Sequence, residues 1–234
     1  MKLTQLLDRL EKFYGKSAAT ASSAKSSVNI GPTDPYEMVL HRNAGYPQSD
    51  VNCDRGFQAL KRAIGLSPEK ILAAPPSKLA EALRAGGMAP ELRARRMKEV
   101  AARVLGEFGG DLRAVMKRGP VEAKKALKKF PTIGDSFAEK VLLFTKTAPV
   151  AAVPATSVHV LLRLGFGLER KNYAANYRAA QEAIAAEVPE TFEARQRAYL
   201  LIKQHGQTLC KASRPKCDEC PVSGDCKYYR RLRG

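Results

Sequence analysis

Four of the chain's five cysteines, Cys210, Cys217, Cys220 and Cys226, fall in one stretch spaced C-x6-C-x2-C-x5-C. Thiolates clustered this way read as ligands of one compact inorganic centre, because a disulfide framework would spread its cysteines along the chain. Structural zinc sites more often use two C-x2-C pairs. Only Cys217 and Cys220 form such a pair, and the wider spacers suit a [4Fe–4S] cubane whose four irons each take one thiolate. Zinc, or thiols without a metal, are the alternatives to that cluster. A second chemical signal lies upstream, at Phe130-Pro131-Thr132-Ile133-Gly134-Asp135-Ser136. Lys124, Lys125, Lys128 and Lys129 precede it, and the apolar run Val141 to Phe144 follows. A helix, a tight turn and a second helix would aim backbone N–H groups outward, a device that binds phosphate without reading sequence.

The elements that must position these groups read as helices. Leu3, Leu6, Leu7, Leu10, Phe13 and Tyr14 recur at helical spacing. Residues 16–33 have no apolar period and read as a linker or loose loop. Asp34-Pro35-Tyr36-Glu37 reads as a helix start, with Asp34 as cap and Pro35 in the first turn. Short helices are expected near 54–64, 68–73, 77–86, 91–107, 111–117, 120–129 and 136–146, and longer ones near 156–165, 172–187 and 191–207. The expected fold class is all-α.

Charge bounds the partner. Forty Lys and Arg face twenty-three Asp and Glu, a net +17 that points to a polyanion such as nucleic acid. Residues 91–129, which include Arg93, Arg95, Arg96 and Lys98, hold twelve basic and five acidic residues, so this stretch flanks the turn with positive charge. No apolar run approaches the roughly 18 residues of a membrane span. Asp8 and Glu11 interrupt the N-terminal apolar stretch and exclude a secretory leader. A soluble, cytoplasmic protein without a membrane partner follows, associated with the nucleoid in a bacterial cell.

The cysteine spacing, His205-Gly206 before it, and Ala212 and Pro215 inside its first spacer resemble the iron–sulfur loop of the helix-hairpin-helix DNA glycosylases, in the endonuclease III and adenine-DNA-glycosylase branch. The Pro131–Gly134 turn resembles that family's hairpin, with Thr132 where the family has its first glycine. The resemblance implies an all-α, two-domain helix-hairpin-helix fold. A six-helix domain would span 35–148 and end in the hairpin, and 1–34 with 149–234 would form the cluster domain. It implies a [4Fe–4S] cofactor on the four cysteines, and a monomer holding double-stranded DNA in the cleft between the domains. Gln48, Lys128, Lys129, Pro131, Thr132, Ile133, Gly134, Ser136, Lys211, Arg214 and Lys216 would contact DNA, and His205 would pack near the cluster.

The implied chemistry is glycosidic hydrolysis, which needs a carboxylate beside the positive charge that develops on the sugar. In the family an aspartate in a V-D-T-H-like segment supplies it, and bifunctional members add a Schiff-base lysine two residues after the hairpin's last glycine. Those positions hold Pro154 and Ser136 here. Lys140, one turn further on, is a poor substitute. Candidate replacements are Glu37, His41, Asp50, Ser136 and His159 as catalytic groups, with His41, Asn43 and Tyr46 lining a base pocket. The expected function is therefore a base-excision-repair glycosylase that probes duplex DNA for an abnormal base and acts monofunctionally with an atypical site. The competing expectation is a catalytically silent DNA- or lesion-binding protein that keeps the fold and cluster.

Overall fold

A computed structural model describes residues 1–20, 29–45, 47 and 49–233. Among them are thirteen α-helices and no strand. These are α1 (Leu3–Tyr14), α2 (Pro35–Gly45), α3 (Asp50–Ala63), α4 (Pro68–Ala73), α5 (Pro76–Leu83), α6 (Pro90–Phe108), α7 (Leu112–Met116), α8 (Pro120–Leu127), α9 (Asp135–Phe144), α10 (Val158–Leu164), α11 (Tyr173–Glu187), α12 (Phe192–Thr208) and α13 (Lys227–Arg233). Proline opens α2, α4, α5, α6 and α8, where its missing N–H would have no helical partner anyway. The chain divides into two compact units, residues 30–147 and residues 1–29 with 148–234.

The unit 30–147 contains α2 to α9. Asp34 Oδ1 accepts the Glu37 N–H at 3.0 Å and starts α2. Met38, Val39, Leu40 and Ala44 turn inward, and Phe57 and Leu60 of α3 are buried as well. The helix ends at Gly45, as the glycine and Pro47 require. The next helix starts at Asp50, earlier than the expected 54, because Ser49 caps it by accepting the Asn52 N–H at 3.4 Å. α2 and α3 approach closely. A Cβ on Gly45 would lie 2.5 Å from the Cys53 nitrogen, and one on Gly56 would collide with the Ala44 carbonyl. Cys53 is a buried residue of this contact.

Arg93 corrects the reading of the 91–129 stretch as phosphate-facing. It is 1% exposed, and its guanidinium donates to the carbonyls of Gly86 at 3.0 Å, Leu83 at 2.9 Å and Gly87. Those carbonyls belong to the end of α5 and the turn after it, so Arg93 closes a helix end from inside. Lys98 donates to the Leu72 carbonyl at 2.6 Å.

The other unit joins α1 to α10–α13. Leu3, Leu6, Leu7 and Leu10 are buried in one cluster with Val160, Leu161, Ile184, Ala198, Leu201 and Ile202. Glu187 Oε2 accepts the Leu3 N–H at 2.6 Å, and Arg197 bridges Asp8 and Glu11 at 2.8 and 2.6 Å. Part of the expected 16–33 loop is ordered into this core. Lys16–Ala19 form a 3-10 turn, and Ala18 and Ala19 are buried. Their small side chains fit against α1 and α12 without an apolar period to announce them.

Candidate functional sites in the hairpin and the four-cysteine loop

The hairpin consists of α8, the turn 128–134 and α9. Phe130 and Ile133 are buried and anchor the turn, with the Ile133 N–H reaching the Phe130 carbonyl at 3.3 Å. Thr132 adopts φ +66°, a left-handed conformation costing a β-branched residue about 1–2 kcal/mol. No side chain caps α9, whose first intrahelical bond runs from Ala138 to the Gly134 carbonyl at 3.0 Å. The N–H groups of Asp135, Ser136 and Phe137 precede that bond, which leaves an anion-seeking helix end. Pro131, Thr132 and Ser136 are half-buried, Gly134 is exposed, and Ile133 turns inward.

Acids partly neutralise the lysines around this turn. Lys128 lies 2.9 Å from Asp135, Lys124 lies 2.5 Å from the buried Glu139, and Lys129 lies 2.7 Å from Glu107. The hydrogen bond from Lys128 holds the Asp135 carboxyl below its usual range, with Lys124 adding to the effect against some desolvation.

The candidate base-pocket residues lie inside the unit 30–147. His41 is 6% exposed; its Nε2 meets Asp54 Oδ1 at 2.6 Å and its ring packs edge-on against Phe57. Gly31 (φ +75°) covers the ring so closely that a Cβ there would lie 3.1 Å from it. Asn43 is fully buried, and its amide bonds the Val39 and Pro131 carbonyls and the Thr132 hydroxyl. Tyr46 and Gln48 lie outside the described residues. Glu37 and Asp50 are half-buried, in the first turns of α2 and α3. Lys140 is buried, and its ammonium donates to the Ile30 carbonyl at 2.7 Å.

His159 belongs to the other unit, on α10. Its Nε2 sits 2.7 Å from the Cys210 carbonyl, and burial lowers its pKa. Pro154 is buried, and its carbonyl accepts the Ser157 N–H at 2.8 Å in a 3-10 turn. Ser157 in turn presses on α12, where a Cβ on Gly206 would come within 2.8 Å of the Ser157 Cβ. That close approach explains the glycine of the His205-Gly206 pair.

Cys210, Cys217, Cys220 and Cys226 line one small cavity. Among the described residues no group of three or more His, Cys, Asp or Glu side chains is arranged to hold a metal ion. The four cysteines instead line the same cavity, and thiolates are the soft donors iron–sulfur clusters take. Backbone bonds shape the loop. The Lys216 N–H reaches the Leu209 carbonyl at 2.9 Å, and the Cys210 N–H reaches His205 at 2.8 Å. Arg163 spans it, donating to Cys210 Sγ at 3.6 Å, Lys211 O at 2.7 Å and Ala212 O at 2.8 Å, with its guanidinium over the Tyr228 ring. His205 sets Nε2 3.6 Å from Cys220 Sγ and Nδ1 2.9 Å from the Tyr14 hydroxyl. Burial pushes the Cys220 thiol up to about 11 and His205 down to about 4. Lys211, Arg214 and Lys216 are exposed on the loop, with Lys216 3.1 Å from Glu219.

Asp54, Arg163 and Tyr14 were not singled out from the sequence for these contacts. Asp54 lies thirteen residues from its partner, on another helix, and no local pattern marks it. Arg163 stands in the Arg163-Leu164-Gly165 text that ends α10, a visible segment whose reach to Cys210 depends on tertiary packing.

An all-helical chain with a hairpin and a four-cysteine loop defines the class of iron–sulfur helix-hairpin-helix proteins. Residues 210–226 match the family model for the iron–sulfur binding domain of endonuclease III, and an iron–sulfur cluster is the cofactor of this loop. Endonuclease III of Thermotoga maritima is 24% identical over 203 residues, covering 87% of each chain. A thymine/uracil-DNA glycosylase of Methanothermobacter thermautotrophicus is 29% identical over 165 residues, covering 70% of this chain and 68% of that one. The fold matches a non-covalent endonuclease III–DNA complex with a TM-score of 0.76 at 19% identity, covering 100% of both chains. It matches a thermostable thymine-DNA glycosylase with a TM-score of 0.69 at 22% identity, covering 96% of this chain and 98% of that one. The chain is thus similar to the endonuclease III-like helix-hairpin-helix DNA glycosylases in its iron–sulfur loop, in sequence over most of its length, and in fold.

Proposed function

We propose that this protein is a monofunctional DNA glycosylase that binds duplex DNA as a monomer and hydrolyses the N-glycosidic bond of an abnormal base. The open N-terminus of α9 and the lysines around it would hold a phosphate, and Lys211, Arg214 and Lys216 would add contacts from the cysteine loop. The four cysteines would hold a [4Fe–4S] cluster, whose contribution when bound is a rigid crosslink between the end of α12 and the start of α13. Glu37 and Asp50 are the proposed sources of the carboxylate, with His41, Ser136 and His159 as the remaining candidate groups.

One observation carries the monofunctional reading. Ser136 stands two residues after Gly134, and the next lysine, Lys140, is buried with its ammonium on the Ile30 carbonyl. An amine that attacks a sugar must be deprotonated and reach it; this one is tied inside the unit. A single-turnover assay tests the proposal on duplexes carrying uracil, hypoxanthine, 8-oxoguanine opposite adenine, oxidised pyrimidines or alkylated purines. Strand breaks that need alkali, with no borohydride-trapped complex, are expected. Breaks without alkali would refute it.

The segment 153–159 favours a second reading. It holds no carboxylate, and Pro154 is built into a buried backbone turn. A lesion-binding protein without catalysis fits that segment, and tight binding to one lesion with no cleavage of any would select it.

A further inference from the structure

We propose that Asn43 is the positioning residue that holds the hairpin turn in its phosphate-binding form, so that Thr132 can stand where a glycine would otherwise be needed. The inference rests on the reading above that the hairpin contacts DNA phosphate.

Thr132 carries a branched Cβ at φ +66°, a region that costs such residues and suits glycine. Something must over-determine that conformation. The neighbouring anchors Phe130 and Ile133 fix where the turn sits, but neither bonds the Pro131–Thr132 peptide. Asn43 does. Its Nδ2 donates to the Pro131 carbonyl at 3.1 Å and to the Val39 carbonyl, one turn back in α2, at 2.9 Å. Its Oδ1 accepts the Thr132 hydroxyl at 3.1 Å. The amide is fully buried. Its orientation is fixed by its partners, because a flip would set its oxygen against two carbonyl oxygens.

The consequence is directional. In a trans peptide the C=O and the following N–H point opposite ways. Holding the Pro131 carbonyl towards Asn43 therefore aims the Thr132 N–H away from α2, as a backbone phosphate site requires. The Thr132 hydroxyl, which turns back to Asn43, is the part of the clamp that a glycine could not supply. α2 thus contributes to a phosphate site that lies 88 residues along the chain.

Fluorescence anisotropy with an undamaged labelled duplex, titrated at several salt concentrations, tests this on the full chain. Asn43→Ala should weaken binding by about tenfold, as loss of several net hydrogen bonds predicts. It should also lower the salt slope by about one phosphate contact. Adding Thr132→Gly to Asn43→Ala should recover most of the loss, because glycine needs no clamp. Asn43→Ala binding like the wild type, or a double variant as weak as Asn43→Ala, overturns the inference. Should Asn43→Ala fail to fold, Thr132→Val carries the test by keeping the shape and removing the hydroxyl proton. Its binding should be roughly two- to fivefold weaker, as loss of one such bond predicts, and unchanged binding overturns the inference. A wild type that shows no salt-dependent binding overturns the DNA reading itself, an outcome distinct from any difference among the variants.

Discussion

His41 and Asp54 form a largely enclosed acid–base pair in the unit 30–147, and their roles can be separated by chemistry. The His41 ring is covered by Gly31 and Phe57, so loss of its partner strands a ring nitrogen that water reaches poorly. Asp54→Ala should lower unfolding free energy in urea by about 1–3 kcal/mol. Asp54→Asn keeps an acceptor oxygen and should cost about half of that or less. If glycosylase activity fell in both variants while stability held, the pair would belong to catalysis instead. The lesson at this scale is that side chains with catalytic potential are often absorbed by packing. The sequence displays His41, Asn43 and His159 as polar groups in suggestive places. Their actual partners, Asp54, the Pro131 carbonyl and the Cys210 carbonyl, are set by distant segments. By contrast, the four cysteines were legible because a cluster loop is local, and its spacing alone brings the sulfurs together.

The helices themselves were largely legible. Apolar period, proline at first turns and glycine at ends all act within a few residues, and they place α1, α2, α6 and α9 where the structure has them. The turn between α8 and α9 was legible as a hairpin, but its clamp was not, since no local rule links residue 43 to residue 132. The charges on this element make a prediction of their own. Asp135 is held below the ordinary carboxylate pKa, so its contribution to stability is full above about pH 3.9. That contribution is lost as the pH falls through the lower folded value. Asp135→Asn should flatten the acid limb of the unfolding curve by a small amount, because the carboxylate is about half exposed. The same substitution releases Lys128 and Lys124 from an anion beside the helix end. DNA affinity should rise, with a steeper salt dependence, in the same titrations; weaker binding would mean that Asp135 orders the lysines rather than competing for them.

Across the whole molecule, a net charge of +17 predicts binding that falls steeply with salt. The slope should nevertheless be far smaller than the count of basic residues. Arg93 and Lys98 close carbonyls, Arg197 bridges Asp8 and Glu11, and Lys129 pairs with Glu107. A slope corresponding to about five to ten phosphates fits such a protein, and a flat response would remove DNA as its partner. The sequence gives the total charge directly, but how much of it faces outward depends on pairs that only folding creates.

The two-part unit also has a consequence for how the chain is made. Its core unites α1 with α10, α11 and α12, which are separated from it by the whole of residues 30–147. On a ribosome, α1 emerges before those helices and waits on the order of ten seconds or more for them to be synthesised. Through that interval Leu3, Leu6, Leu7 and Leu10 have no native surface to cover them. The unit 30–147 can fold meanwhile, since it is continuous in sequence. The nascent chain therefore carries a folded middle and an exposed leucine face, the kind of surface that holding chaperones bind.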